Sequence, residues 1–237
     1  VTHQLGKFQD QLLGALFAAG YFLAFLSFAV RWLFRQVREI IRLRKEKKTA
    51  ELLHLKSQVN PHFFFNMLNN LYGLVAQDGE RAQQLILKLS ELMRYGIYEG
   101  QKELVPLTGE IEYLKNYVVL HRMRYHKTIA IDFSVELADR DWRVMPLLFI
   151  ILLENAFKHG VENLRQGAYV KITLTTTEKD IYFRVENNFD PEESGDPPGI
   201  GLANLERRLQ LAYPDQYRYH TNRTADTYVA ELTLYPA

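Results

Sequence analysis

His62 is the residue of this chain with the most chemistry within reach, because it lies beside a proline on a segment whose two faces separate cleanly. At 100° per residue, Gln58, His62, Asn66 and Asn69 of LKSQVNPHFFFNMLNNL share one helical stripe, while Phe63, Phe64, Met67 and Leu71 share the opposite one. The imidazole is therefore expected on the polar, solvent-facing side. A neutral imidazole with the ordinary pKa of about 6.5 is a usable phosphoryl acceptor near neutral pH. Pro61 removes a backbone donor and is expected to bend the helix, leaving the carbonyl of Ser57 open to another partner. A surface histidine on its own is most often only solvated or capping, so its neighbours must decide. Far downstream, Gly199 and Gly201 follow a Pro- and Gly-rich loop and open the stretch GIGLANLERRLQLAY. Glycines there allow backbone to approach a phosphate, and a following helix aims its N-terminal donors at the anion. A lone Gly-x-Gly is common in turns, so this pattern also needs support.

The elements that would position these residues fall into two halves. From Trp32 to about Gln77 the chain has no proline except Pro61 and no glycine before Gly73, which predicts one long helix. Gly79 and Gly100 bracket a second helical stretch with Leu85, Leu89, Leu92 and Met93 at helical spacing. Two such helices make a hairpin, and pairing with a second copy as a four-helix bundle buries the apolar faces that a lone hairpin exposes. After Pro106, Thr108 is expected to cap a further helix with Glu110 and Glu112 near its positive end. The remainder alternates: TIAIDFSVE reads as a strand, MPLLFIILLENAFKHG as a helix packed on a sheet, AYVKITLTTTEKDIYFRVEN as two strands, GIGLANLERRLQLAY as a helix and TYVAELTLY as a last strand. The expected fold class is multidomain, an all-helical half followed by an α/β layer structure.

Ahead of both lies an apolar, uncharged run over residues 12–30, LLGALFAAGYFLAFLSFAV. At about 1.5 Å per residue it matches a hydrocarbon layer of roughly 30 Å, which predicts a transmembrane helix. Arg31, Arg35, Arg38, Arg42, Arg44, Lys45, Lys47 and Lys48 follow directly, and the positive-inside rule then puts everything after Arg31 in the cytoplasm. The expected division is a membrane segment at 1–34, with lipid as its partner, a connector helix and hairpin at 35–104, and a further domain at 105–237. A net charge of +1 gives no argument for direct nucleic-acid binding. The absence of cysteine excludes disulfides, Cys-ligated zinc and thiol catalysis.

The segment around His62 resembles the phosphoacceptor motif of LytS/YehU-type sensor histidine kinases, through Gln58, Val59, Asn60, Pro61, His62, Phe63, Asn66, Leu68 and Asn69. LLENAFKHG is similar to the N box of the GHKL (Bergerat) ATP-binding module, and GIGLANLERRL to its glycine-containing G2 box. The resemblance covers roughly residues 50–237. It implies autophosphorylation of His62 from ATP, followed by transfer to an aspartate of a response regulator, which the family makes a LytTR-type protein. It further implies a homodimer in the bacterial inner membrane. Asn155 would bind the Mg²⁺ that bridges the ATP phosphates, with Lys158 and His159 facing those phosphates. Gly199, Gly201, Leu202 and Asn204 would contribute the G2 contacts, and residues 190–198 a lid. A hard cation that keeps most of its waters needs only one or two protein oxygens, so a single Asn suffices. Glu154 is the acid nominated as general base.

One stretch departs from the family pattern of Asp-x-Gly-x-Gly. VENNFD places Asn187 where the adenine-binding Asp would fall and omits both glycines. An Asn oxygen can still accept from the adenine amino group, without charge. The usual Gly-Thr near the end is Asp226-Thr227, so only Thr227 carries over. These departures leave a second reading open: a membrane-tethered scaffold that docks the regulator without turning over ATP. A chaperone or topoisomerase ATPase on the same fold would have no use for NPHFFFN on a tethered helix.

Overall fold

The computed structural model describes residues 27–28, 30–44, 46–48, 51–52, 61–125, 128–162, 164, 166–191 and 200–235, with the side chains of Pro61, His62 and Ile200 outside the description. The chain divides into two compact units, residues 1–51 and 52–237. In the first, residues 27–28, 30–44 and 46–48 are helical (α1), and the helix is exposed throughout. Arg42 bridges Glu39 at 3.0 Å and Glu46 at 3.4 Å along it. The apolar run 12–30 lies outside the described residues except for 27, 28 and 30. Among the described residues no helix is long and apolar enough to cross a membrane.

The second unit opens with a helical hairpin. α2 spans Pro61–Gln77. Pro61 is the first described residue of α2; the expected continuous helix and its bend at Pro61 would involve residues 53–60, outside the described ones. Phe63, Met67 and Leu74 are buried and Phe64 and Leu71 partly so, the face expected from the spacing. α3 spans Gly79–Arg94, with Asp78 as N-cap accepting from Arg81 N at 3.0 Å. It buries Ala82, Leu85, Leu89 and Leu92 and ends in a π-turn at Tyr95–Glu99.

α4, Leu107–Arg124, corrects the sequence reading at its start. Thr108 does not cap it: the helix begins two residues earlier than a Thr108 cap would place it, its N-cap is Pro106, and no side chain caps it. Leu107 N instead donates to Trp142 O at 2.8 Å, beside the short pair β1 (Val105–Pro106) and β3 (Arg143–Val144), so strand pairing does the work of a cap. Glu110, read as an acid near the helix's positive end, is fully buried. α4 is buried on several sides because it lies against α3 and also against the aromatic ring of Phe157.

A five-stranded sheet has the order β2-β4-β5-β7-β6, with β2 Ala130–Glu136, β4 Tyr169–Thr176, β5 Ile181–Asn188, β6 Tyr217–Arg223 and β7 Thr227–Leu234. β2 and β4 are parallel and the other pairs antiparallel. Val170, Ile172, Leu174, Ile181, Phe183, Val185, Ala230, Leu232 and Leu234 bury one face. On the other face Tyr182 donates to Glu231 at 2.6 Å, Tyr169 donates to Glu186 at 3.0 Å, and Arg184 pairs with Glu186. Alternation of this kind belongs to a sheet covered on one side. β6 is not evident in YRYHTNR as a sequence, because its mostly exposed edge position removes the apolar alternation.

The helix read from MPLLFIILLENAFKHG starts later than Met145. Residues 145–149 form a turn with Leu147 at φ 56°; α5 covers Ile150–Ala156, and a π-turn continues it over Phe157–Val161. α6 spans Ile200–Ala212.

Candidate active site

α5 and its π-turn carry the candidate N-box side chains. Glu154, Asn155 and His159 are partly exposed and Lys158 is exposed. Gly160 is buried and pressed against the end of β5: a Cβ there would come within 2.4 Å of Asn187 Nδ2 and 2.6 Å of the Asn188 carbonyl. Only glycine fits that approach, so the π-turn is seated directly on the strand end that carries Asn187.

Asn187 is 2% exposed. Its Nδ2 donates to Asn188 O at 3.0 Å, and its Oδ1 is buried without a hydrogen-bond partner among the described residues. An unsatisfied buried acceptor costs about 1–3 kcal/mol. That orphaned oxygen fits a ligand that brings an N–H, as an adenine amino group does. Thr227 lies opposite Asn188 in the β5/β7 register, one step from Asn187, and its Oγ1 donates to Asp226 Oδ1 at 3.1 Å. At the other end of α5, a Cβ on Gly201 would meet Ile151 Cγ2 at 3.9 Å, so the first turn of α6 lies beside α5. Leu202 and Asn204 are partly exposed on that turn. Gly199 and most of the expected lid lie outside the described residues.

Burial pushes the Glu154 carboxyl up to about 7, against the pull of the Arg208 guanidinium. A carboxylate poised there is suited to exchanging a proton near neutral pH. Among the described residues no group of three or more His, Asp or Glu side chains converges on a metal site. An ATP-bound Mg²⁺ would be met here by Asn155, the arrangement of a cation that keeps its waters and leans on substrate phosphates.

The position of His62 is helical, but its side chain lies outside the description. Its neighbour Phe63 is informative: the ring stacks on Tyr117 at 4.7 Å and on His121 at 5.1 Å, and His121 stacks on Phe157 at 4.1 Å. An aromatic column therefore runs from the residue after His62, through α4, to the first residue of the π-turn that bears Lys158 and His159. His121 is 2% exposed, and neither ring nitrogen has a hydrogen-bond partner among the described residues. Desolvation, reinforced by Arg124, lowers its pKa to about 3. Sequence reading missed His121, Phe157 and Gly160. The last had a signal, the glycine ending the N box; the first two are indistinguishable from ordinary core and surface positions without the fold.

A cleft of about 520 Å³ lies elsewhere, lined by Tyr95, Tyr98, Tyr113, Asn116, Glu91 and Glu112 among others, and none of the nucleotide candidates borders it. Its position between α3 and α4 gives it no part in the arrangement above.

Residues 50–129 match the profile of the family described as Histidine kinase. The chain is 31% identical over 179 residues to the Sensor protein LytS of Enterococcus faecalis, covering 70% of this chain and 30% of that protein. It is 36% identical over 177 residues to the Sensor histidine kinase/phosphatase LytS of Staphylococcus aureus, covering 69% of this chain and 30% of that one. The chain thus spans about 30% of the length of these relatives. Among solved structures, the catalytic domain of the histidine kinase ThkA superposes with a TM-score of 0.38 at 17% identity, covering 56% of this chain and 93% of that one.

Proposed function

We propose that this chain, which over residues 50–129 belongs to the histidine kinase family and is similar to LytS sensor proteins, is the kinase end of a two-component sensor. The γ-phosphoryl group of ATP passes to His62. A neutral ring nitrogen attacks the γ-phosphorus, the bond to the bridging oxygen breaks, and ADP leaves with that oxygen. The ring proton goes to a carboxylate, for which Glu154 is the candidate. An aspartate of a response regulator, of LytTR type by family resemblance, then takes the phosphoryl group. Phosphoryl transfer rests mainly on positioning and charge stabilisation, so a modest base suffices. Asn155 would hold the Mg²⁺, with Lys158, His159, Gly199, Gly201, Leu202 and Asn204 around the phosphates, and Asn187 and Thr227 at the base.

The observation that carries this reading is the orphaned Asn187 Oδ1 beneath Gly160, an unfilled acceptor at the position the motif assigns to adenine. It also favours ATP binding over the scaffold reading that VENNFD leaves open. Dimerisation is supported by an apolar stripe left exposed on α2 (Phe65, Leu68, Tyr72 and Val75) and on α3 and its π-turn (Ile86, Met93 and Ile97), opposite the buried face. The division at 1–34, 35–104 and 105–237 belongs to the same proposal, as does the anchoring of residues 12–30 in the inner membrane with the chain beyond Arg31 in the cytoplasm. Mg·ATP titration of the purified chain tests it. Saturable binding, lost in Asn155→Ala and weakened in Asn187→Ala, is expected. Failure of the unsubstituted chain to bind at millimolar Mg·ATP would leave the scaffold as the better reading.

A further inference from the structure

The N-box helix is preceded by a turn that does not hold itself. Leu147 has φ 56°, a left-handed conformation that costs a bulky residue about 1–3 kcal/mol. Its surroundings must impose it. Leu147 N donates to Glu110 Oε1 at 2.8 Å, and its carbonyl accepts from Arg208 Nη1 at 2.9 Å. Two residues earlier, Met145 N donates to the Tyr213 hydroxyl at 2.7 Å. The Leu147 side chain lies against Gly100, where an added Cβ would come within 3.0 Å of Leu147 Cδ1.

Glu110 joins this turn to the hairpin. The same Oε1 that holds Leu147 also accepts the Tyr95 hydroxyl at 2.8 Å. Tyr95 is the first residue of the π-turn that ends the hairpin, and Gly109 makes room for it: a Cβ there would meet the Tyr95 ring at 3.3 Å and its hydroxyl at 3.4 Å. Glu110 Oε2 is buried with no hydrogen-bond partner among the described residues, so the carboxylate spends its bonds on this one junction. Arg208 extends the junction to α6, the helix that begins beside α5.

We propose that Glu110 is a positioning residue that couples the end of the phosphoacceptor hairpin to the start of the N-box helix through one shared carboxylate oxygen. If the hairpin end turns, Tyr95 draws the carboxylate with it or gives up its bond. A carboxylate so disturbed releases Leu147 N, the turn relaxes toward negative φ, and α5 tilts with Asn155 on it. The coupling stands on the geometry; its effect on phosphoryl transfer rests on the kinase reading above.

Two variants of the full chain test it, Tyr95→Phe and Glu110→Gln. Tyr95→Phe deletes one hydroxyl and leaves the packing, so it remains informative if Glu110→Gln folds poorly. Hydrogen exchange of the amides at 145 and from 147 to 153 should quicken about tenfold in Tyr95→Phe, the size one buried hydrogen bond supports, with β4 and β5 unchanged. In autophosphorylation, Tyr95→Phe should lower the rate at saturating Mg·ATP about tenfold with KM within about twofold, whereas Glu110→Gln should raise KM as well. Unchanged exchange at 145–153 in Tyr95→Phe overturns the coupling. Faster exchange throughout the sheet, with rate and KM affected in parallel in both variants, also overturns it, since that is general loosening. If the unsubstituted chain takes no label from ATP, the kinase reading fails while the exchange comparison still decides the coupling.

Discussion

Replacing His121 by Phe isolates the physics of the aromatic column. His121 is stacked at 4.1 Å on Phe157 and 4.5 Å from Tyr117, with both ring nitrogens unpaired among the described residues. Its pKa falls from the ordinary 6.5 to about 3 in the fold. In the unfolded chain the ring takes a proton as pH drops below 6.5, and in the folded chain it does not. Stability is therefore fully present above pH 6.5 and is lost progressively as pH falls toward 3. At pH 5.0 the gap is about 1.5 pH units below the unfolded value, or roughly 2 kcal/mol at 1.36 kcal/mol per unit. Glu110 and Glu154 oppose the trend, because burial raises both to about 7 and their contribution falls as pH rises from 4.5 to 7. They are common to both proteins and cancel in the difference. Phe keeps the stack and cannot titrate. Thermal unfolding at pH 7.5 and 5.0 should show the unsubstituted chain losing about 2 kcal/mol more than His121→Phe, or about 4–8 °C in Tm for a unit of this size. Parallel losses in the two proteins would refute the reasoning, since they would mean that the ring is solvated or paired.

Gly160→Ala should be severe, because its Cβ would fall 2.4 Å from Asn187 Nδ2 and 2.6 Å from a backbone carbonyl. Loss of Mg·ATP affinity together with about 1–3 kcal/mol of stability is expected, read by titration and denaturant unfolding; an unaffected affinity would detach the strand end from the nucleotide site. On the exposed stripe, Leu68→Glu combined with Tyr72→Glu should convert a dimer to a folded monomer in sedimentation, since Tyr72 is 87% and Leu68 49% exposed in the single chain. A dimer that survives both charges would place the contact elsewhere.

The residues legible in the sequence are those whose periodicity or spacing reports a local cause. Phe63, Met67 and Leu71 mark the inward face of α2 through helical spacing, and β4 and β5 declare themselves through alternation. Legibility fails where tertiary contacts override local rules. Thr108 is a good cap by type, yet the pairing of β1 with β3 settles the helix start two residues earlier. Met145 to Phe149 look helical because they are apolar, but the bonds from Glu110, Arg208 and Tyr213 hold them in a turn. Glu110 itself reads as a first-turn acid attracted to the helix dipole, and nothing in its neighbours announces burial. For the candidate site, motif spacing nominates Asn155, Asn187 and Gly201, and the fold adds what spacing cannot supply: the glycine that lets Asn187 sit beneath the π-turn after α5, and the column that runs from Phe63 to Phe157.

Phosphorylation of His62 is the claim on which the proposed function most depends. The purified chain incubated with Mg²⁺ and γ-labelled ATP should acquire label that is stable to alkali and labile to acid, at one site identified by peptide mapping as His62, and His62→Gln should acquire none. Absence of label from the intact chain at saturating nucleotide, or label retained in His62→Gln, would contradict it.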